Sequence, residues 1–171
     1  MEIKLSKSVV RSWRTSDAES ITRHAADRRI WLNMRDAFPH PYHLSDAQQF
    51  IAGALADKPE TKFAIVVDGQ AAGSIGYFPR TDVERISAEI GYFLGAEFWG
   101  RGIMSETLAA VTAYAFENHP LERVYAVPFA HNTASCRVLE KAGFTREALM
   151  RRAVIKDGQV LDQFMYAKLR A

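Results

Sequence analysis

The stretch Glu89-Ile90-Gly91-Tyr92-Phe93-Leu94-Gly95-Ala96-Glu97-Phe98-Trp99-Gly100-Arg101-Gly102-Ile103-Met104-Ser105-Glu106 decides the reading of this chain. Its first third is apolar and aromatic, as a strand requires. Beyond it, Leu108, Val111, Tyr114 and Ala115 recur at the spacing of a helix with one buried side. Between strand and helix stand Gly95, Gly100 and Gly102. Glycine lets backbone approach a ligand closely and adopts conformations that other residues avoid. The helix start behind it offers N–H groups without intrahelical acceptors, at the positive end of the helix dipole. Such a turn suits a pyrophosphate, and Arg101 adds positive charge at its rim. A lone Gly-x-Gly more often marks an ordinary tight connection. This one lacks the third glycine of a dinucleotide fingerprint and the Gly-Lys-Ser/Thr ending of a Walker phosphate loop.

Working outward, residues 63–67 and 71–77 read as strands joined by the hairpin turn Asp68-Gly69, and residues 86–94 as the next strand. The helix after the turn is expected over residues 105–118, ended by Pro120. A short strand at 124–127, a helix at 133–141 stopped by Gly143, and a last hairpin around Asp157-Gly158 (strands 151–156 and 160–169) follow. Toward the N-terminus, residues 9–13 read as a strand and Ser16 or Asp17 as a helix cap. Helical character resumes over 27–35. The prolines of Phe38-Pro39-His40-Pro41-Tyr42-His43 exclude regular helix. Ser45-Asp46 restarts a helix with Phe50, Ile51, Ala54 and Leu55 on one face. The order is strand, two helices, three strands, helix, strand, helix, two strands: a mixed sheet with helices packed on it, of the α/β class.

At 171 residues, with no repeat or linker, one domain over 1–171 with a core of about 9–169 is expected. The formal net charge of +2 is too small to argue for nucleic acid. No apolar run approaches a membrane span and the N-terminus has no secretory pattern, so a cytoplasmic protein without a membrane partner is expected. Cys136 is the only cysteine, which excludes an internal disulfide. His40, His43 and His131 show no metal-ligand spacing, and no metal is expected.

Two blocks together carry a resemblance. Glu89-Ile90-Gly91-Tyr92-Phe93-Leu94, Phe98-Trp99-Gly100-Arg101-Gly102 and Glu106 form the first. Asn132-Thr133-Ala134-Ser135-Cys136-Arg137-Val138-Leu139-Glu140-Lys141-Ala142-Gly143-Phe144 forms the second, about forty residues on. In this order and spacing they resemble GNAT-superfamily N-acetyltransferases, within them the RimJ/RimL-like branch of ribosomal-protein N-terminal acetyltransferases. The resemblance implies a mostly antiparallel mixed sheet whose middle strands splay to admit the pantetheine arm of acetyl-CoA. It implies that Phe93 and Leu94 meet pantetheine and that backbone from Trp99, Gly100, Arg101, Gly102, Ile103, Met104 and Ser105 holds the pyrophosphate. Asn132 and Ser135 would face the thioester end, with Arg137 near the cofactor. Trp99 and Met104 depart from the usual signature and put bulk beside the phosphates.

Acetyl transfer to an amine requires that the ammonium lose a proton, that an oxyanion find a donor, and that the thiolate gain from an acid. Glu89, a carboxylate in an apolar strand on the face of Ser87, Gly91 and Phe93, is the candidate base, directly or through water; a structural partner for a basic side chain is the equal alternative. The backbone N–H near Phe93 or Leu94 would serve the oxyanion. Leu139 stands where many family members carry a tyrosine acid, which leaves Ser135 as the substitute or as a residue that only orders its helix start. Cys136 lacks an adjacent His and acid and reads as a packed residue. The loop 38–43 is a rigid connector or a wall of the acceptor pocket. The basic residues Arg151, Arg152 and Lys156 read as a solvated face. The acceptor is expected to be a protein N-terminal α-amine or a small-molecule amine, with a non-catalytic acyl-CoA-binding module as the alternative. A homodimer is compatible with the sequence.

Overall fold

Alternating patterns and Asp-Gly turns place most strands where the sequence puts them. The computed structural model describes residues 1–171. It has strands β1 (Glu2–Lys4), β2 (Val9–Arg11), β3 (Lys62–Val67), β4 (Gln70–Pro79), β5 (Ser87–Leu94), β6 (Arg123–Ala126), β7 (Thr145–Lys156) and β8 (Gln159–Leu169). Its helices are α1 (Ala18–Ala25), α2 (Arg28–Trp31), α3 (Leu44–Ala56), α4 (Ile103–Asn118) and α5 (Thr133–Lys141). The strand order is β1-β2-β3-β4-β5-β6-β8-β7. The chain divides into two compact units, Met1–Gly76 with Tyr92–Ile103, and Tyr77–Gly91 with Met104–Ala171.

In the first unit β1, β2, β3 and β4 pair antiparallel in sequence. The β3–β4 hairpin turns at Asp68 (φ 49°) and Gly69 (φ 80°), the backbone an Asp-Gly turn is built for. One face of these strands packs on α1 and α3 through Trp13, Ile21, Tyr42 and Ile51. Trp13 meets Phe50 edge-on at 5.6 Å. Leu55, placed on the buried face by its spacing, lies at the margin of that stripe and is 39% exposed.

The helix entrances differ from expectation, each for a local reason. Asp17 does not cap α1. Its carboxylate takes two 2.8 Å bonds from the Arg11 guanidinium and one of 2.9 Å from the Arg14 N–H. Asp27 caps the helix expected over 27–35, accepting from the Arg29 N–H at 2.8 Å, but that helix ends after one turn, as α2. Asp46 sits inside α3, not ahead of it: from the third helical position it accepts the His43 N–H at 2.7 Å, and the helix begins at Leu44.

In the second unit β6 pairs antiparallel with β8, and β8 with β7. Helices α4 and α5 bury Leu108, Val111, Ala115 and Leu139. Strand β7 begins six residues ahead of the expected Arg151. Two register shifts interrupt its ladder and nearly all its residues are exposed, which erases the alternation that marks a strand. At the second shift Arg152 has φ 52°, and the Asp162 carboxylate accepts its N–H at 2.7 Å. Strand β5 pairs parallel with β6 at Ser87↔Arg123, Ala88↔Val124 and Glu89↔Tyr125, where that ladder stops although β5 runs on to Leu94.

Candidate active site

In the first unit the end of β5 is fixed by its neighbour. The Gly95 N–H donates to the Ala72 carbonyl at 2.7 Å, and a Cβ added to Gly73 would stand 2.4 Å from the Phe93 carbonyl oxygen. Backbone groups of alternate residues point to opposite edges of a strand. Phe93 and Gly95 therefore face β4, and the N–H and C=O of Leu94 face the other edge. Of the two expected oxyanion donors, the register leaves Leu94. Its carbonyl accepts the Trp99 indole N–H at 2.7 Å.

Beyond β5 the chain makes a 3-10 turn over Ala96–Phe98 and reaches the glycines. Gly100 has φ +75° and Gly102 φ +79°, conformations in which a side chain is strained. A Cβ on Gly100 would meet nothing within 4 Å, and one on Gly102 only the Lys7 Nζ at 3.9 Å. The space over both glycines is thus open to a ligand that uses main-chain donors. Helix α4 opens at Ile103, two residues earlier than its spacing indicates, which brings Met104 and Ser105 into its first turn.

The bulk expected from Trp99 and Met104 is directed elsewhere. Met104 is buried, at 8% exposure. Trp99 is tied by its indole to Leu94, and the Arg29 guanidinium lies 5.3 Å from its ring. Arg101 also departs from expectation. Its guanidinium donates to the Glu97 carbonyl at 2.8 Å and lies 5.2 Å over Phe98, so it turns back along the loop. The cation at the glycines is Lys7, whose Nζ donates to the Arg101 carbonyl at 2.8 Å. Lys7 precedes Arg101 by 94 residues, and no local pattern in the sequence announces it.

Beneath the loop lies His24 on α1, its Nδ1 3.4 Å from Glu97 Oε1 and its ring edge-on to Phe98 at 5.6 Å. Burial pushes its pKa down, against the pull of Glu97. A Cβ on Gly95 would stand 2.5 Å from that Nδ1, so only glycine lets the loop rest on the imidazole. From the proline-containing loop, Phe38 packs edge-on against Phe93 at 5.3 Å and lies tilted by 30° against Tyr42 at 5.0 Å. His40 stacks on Trp31 at 5.0 Å. The loop is anchored by its aromatic residues, and it reaches the end of β5.

The second unit carries the remaining expected residues. Glu89 is half-buried on β5, opposite Tyr125 and on the same strand face as the exposed Gly91. Asn132 caps α5, its side-chain oxygen accepting the Ser135 N–H at 3.1 Å. Ser135 is half-buried one turn into α5, and Arg137 is exposed. Cys136 is buried, and burial pushes its thiol pKa up while a Tyr166 hydrogen bond works the other way. A neutral, enclosed thiol is a packing residue. Tyr166 donates to Glu140 Oε1 at 2.9 Å, and burial followed by this bond raises its pKa. Leu139, fully buried, supplies no acid. No cluster of three or more His, Cys, Asp or Glu side chains has metal-binding geometry, and no helix is long and apolar enough to cross a membrane.

Against known proteins, the chain matches the Acetyltransferase (GNAT) domain family over residues 8–145, a span that runs through both units. It is 28% identical over 164 residues to the uncharacterized N-acetyltransferase p20 of Bacillus licheniformis, across 94% of this chain and 92% of that protein. Among solved structures it resembles the RimL ribosomal L7/L12 α-N-protein acetyltransferase in complex with coenzyme A, with TM-score 0.85, 23% identity, and 99% and 98% of the two chains covered. It also resembles the microcin C7 self-immunity acetyltransferase MccE in complex with acetyl-CoA and AMP, with TM-score 0.82, 23% identity, and 97% and 94% covered. At these identities the two structures establish a shared fold.

Proposed function

The chain belongs to the GNAT acetyltransferase family, and on that premise we propose that it transfers an acetyl group from acetyl-CoA to a primary amine by direct attack in a ternary complex. The observation that carries the proposal is the turn at Gly100 and Gly102. Two positive-φ glycines with open space where side chains would be, followed at once by the start of α4, offer main-chain donors to a diphosphate. The residues present fit coenzyme A at the glycines, where the space is open and Met104 is turned inward, while the Trp99 indole is bonded to the Leu94 carbonyl.

Bound acetyl-CoA supplies an activated thioester; the protein supplies position and proton movement. The main chain from Trp99 to Ser105 seats the diphosphate, and the edge of β5 at Leu94, whose carbonyl the Trp99 indole occupies, lies along pantetheine. The Leu94 N–H stabilises the oxyanion. Glu89 takes the proton from the amine, directly or through water. Ser135 donates to the departing thiolate, and Asn132 sets the helix start that aims it. Arg137 lies beside the cofactor. The contact of Phe38 with Phe93 supports reading the loop 38–43 as a wall of the acceptor pocket. The acceptor is an α-amine of a protein, as the name of RimL states for that enzyme, or the amine of a small molecule. The whole of 1–171 forms one catalytic domain.

Thiol release from acetyl-CoA, followed across peptides and small amines, identifies the acceptor. Coenzyme A binding without turnover on any amine would make the chain a binding module instead. Gly102→Val tests the seat: the side chain is strained at φ +79° and fills the open space. Affinity for coenzyme A should fall on the order of a hundredfold in calorimetry, with the folded state preserved by circular dichroism. Unchanged affinity in the folded variant would remove the diphosphate from this turn.

A further inference from the structure

The turn that we read as a diphosphate seat has its expected charge in the wrong place. Arg101 lies within it by sequence, yet its guanidinium reaches back to the Glu97 carbonyl and the Phe98 ring. A main-chain seat without a cation would leave two phosphate charges to amide dipoles alone. The structure brings another cation to the spot. Lys7 comes from the exposed connection between β1 and β2, crosses to the loop, and donates to the Arg101 carbonyl at 2.8 Å. Its Nζ lies 3.9 Å from the position a Gly102 Cβ would take, nearer than any other group outside the adjoining residues.

We propose that Lys7 is a coenzyme-binding residue, its ammonium held by the Arg101 carbonyl so that it faces the diphosphate seated over Gly102. The inference rests on the proposed reading of the turn. An ammonium has three donors, and the carbonyl uses one, so two remain for phosphate oxygens. The bond to Arg101 restricts a long, mobile side chain before the ligand arrives and reduces the ordering cost of binding. The charge beside the glycines thus arrives from the N-terminal hairpin, while Arg29, near the Trp99 ring, is paired with Asp27.

The test is titration calorimetry with coenzyme A on the full chain, at several salt concentrations, for wild type, Lys7→Ala, Lys7→Gln and Lys7→Arg. Lys7→Gln retains an N–H donor for the Arg101 carbonyl but no charge. A residue that only pins the loop would be replaced by it; a phosphate-binding residue would not. Both uncharged variants should bind about tenfold more weakly at low salt and with a shallower salt dependence, while Lys7→Arg stays near wild type. The same loss should appear with 3′-dephospho-coenzyme A. Wild-type affinity in Lys7→Ala or Lys7→Gln would overturn the proposal, as would a loss confined to coenzyme A, which would assign the cation to the ribose phosphate. Wild-type protein that binds no coenzyme A at all would overturn the seat itself, a result readily told apart from the others.

Discussion

Glu89→Gln should lower the turnover of acetyl transfer by about two orders of magnitude or more while leaving coenzyme A affinity within about twofold of wild type. The substitution keeps the shape of the side chain, its place on β5 opposite Tyr125 and its half-buried setting. It removes the negative charge and with it the capacity to accept a proton. An ammonium cannot attack a thioester, so the loss falls on the chemical step and not on the main-chain contacts that hold the cofactor. The comparison is made by single-turnover kinetics with a saturating amine beside calorimetry of coenzyme A. Turnover unaffected at every pH would show that Glu89 is not the base and return it to the structural role its sequence also allows. A parallel loss of coenzyme A affinity would mean that the side chain orders β5 rather than the proton.

The second large effect is on folding. The Arg11–Asp17 pair is buried, with both members at or below about a tenth exposure, and its geometry is bidentate. Asp17→Asn leaves the Arg11 guanidinium buried without its counter-charge, and removal of one member of such a pair costs about 3–5 kcal/mol. Burial works against the Asp17 charge, but the bonds from Arg11 and the Arg14 amide prevail and hold its carboxyl below the ordinary value. The Arg11 pKa is correspondingly raised by the bond to Asp17. The pH dependence has a definite sign. An acid whose pKa is lower in the folded state contributes stability that is complete above its unfolded pKa of about 3.9, and that is lost as pH falls through the folded value. Urea unfolding should therefore show wild type well above Asp17→Asn at pH 7, with the gap narrowing below about pH 4. An equal gap at pH 7 and at strongly acid pH would place the stabilisation elsewhere than in the Asp17 charge. The pair matters to the site because it fixes the entrance to α1, and α1 carries the His24 on which the loop after β5 rests.

Features written in short-range chemistry were readable from the sequence. Asp68-Gly69 and Asp157-Gly158 announce their hairpins because few dipeptides tolerate two left-handed residues in succession. Gly100 and Gly102 announce a turn because each takes up a positive φ that other residues avoid. The order of strands from β2 onward and the face of β5 that carries Glu89 follow from periodicity, whereas three helices, not the expected two, stand between β2 and β3. Strand β1 was missed because three residues, Glu2–Lys4, hold too little pattern to register. The first half of β7 was missed because exposure on both faces abolishes alternation.

In the site, what the sequence could not supply is where side chains go when they have a choice. Arg101 follows a carbonyl and an aromatic ring back along its own loop. Trp99 finds the carbonyl of Leu94. Asn132 spends its oxygen on capping α5. Lys7 reaches across most of the chain's first unit in sequence to a carbonyl no motif connects it with. The choice between Phe93 and Leu94 as donor needed the register with β4, which only the Ala72–Gly95 bond and the approach of Gly73 reveal.

A crystal structure of the protein grown with acetyl-CoA tests the central claim most directly. The account predicts diphosphate oxygens within hydrogen-bonding distance of main-chain N–H groups between Gly100 and Met104, with the acetyl carbonyl directed to the Leu94 N–H. A cofactor whose diphosphate lies away from those glycines, at full occupancy, would contradict it.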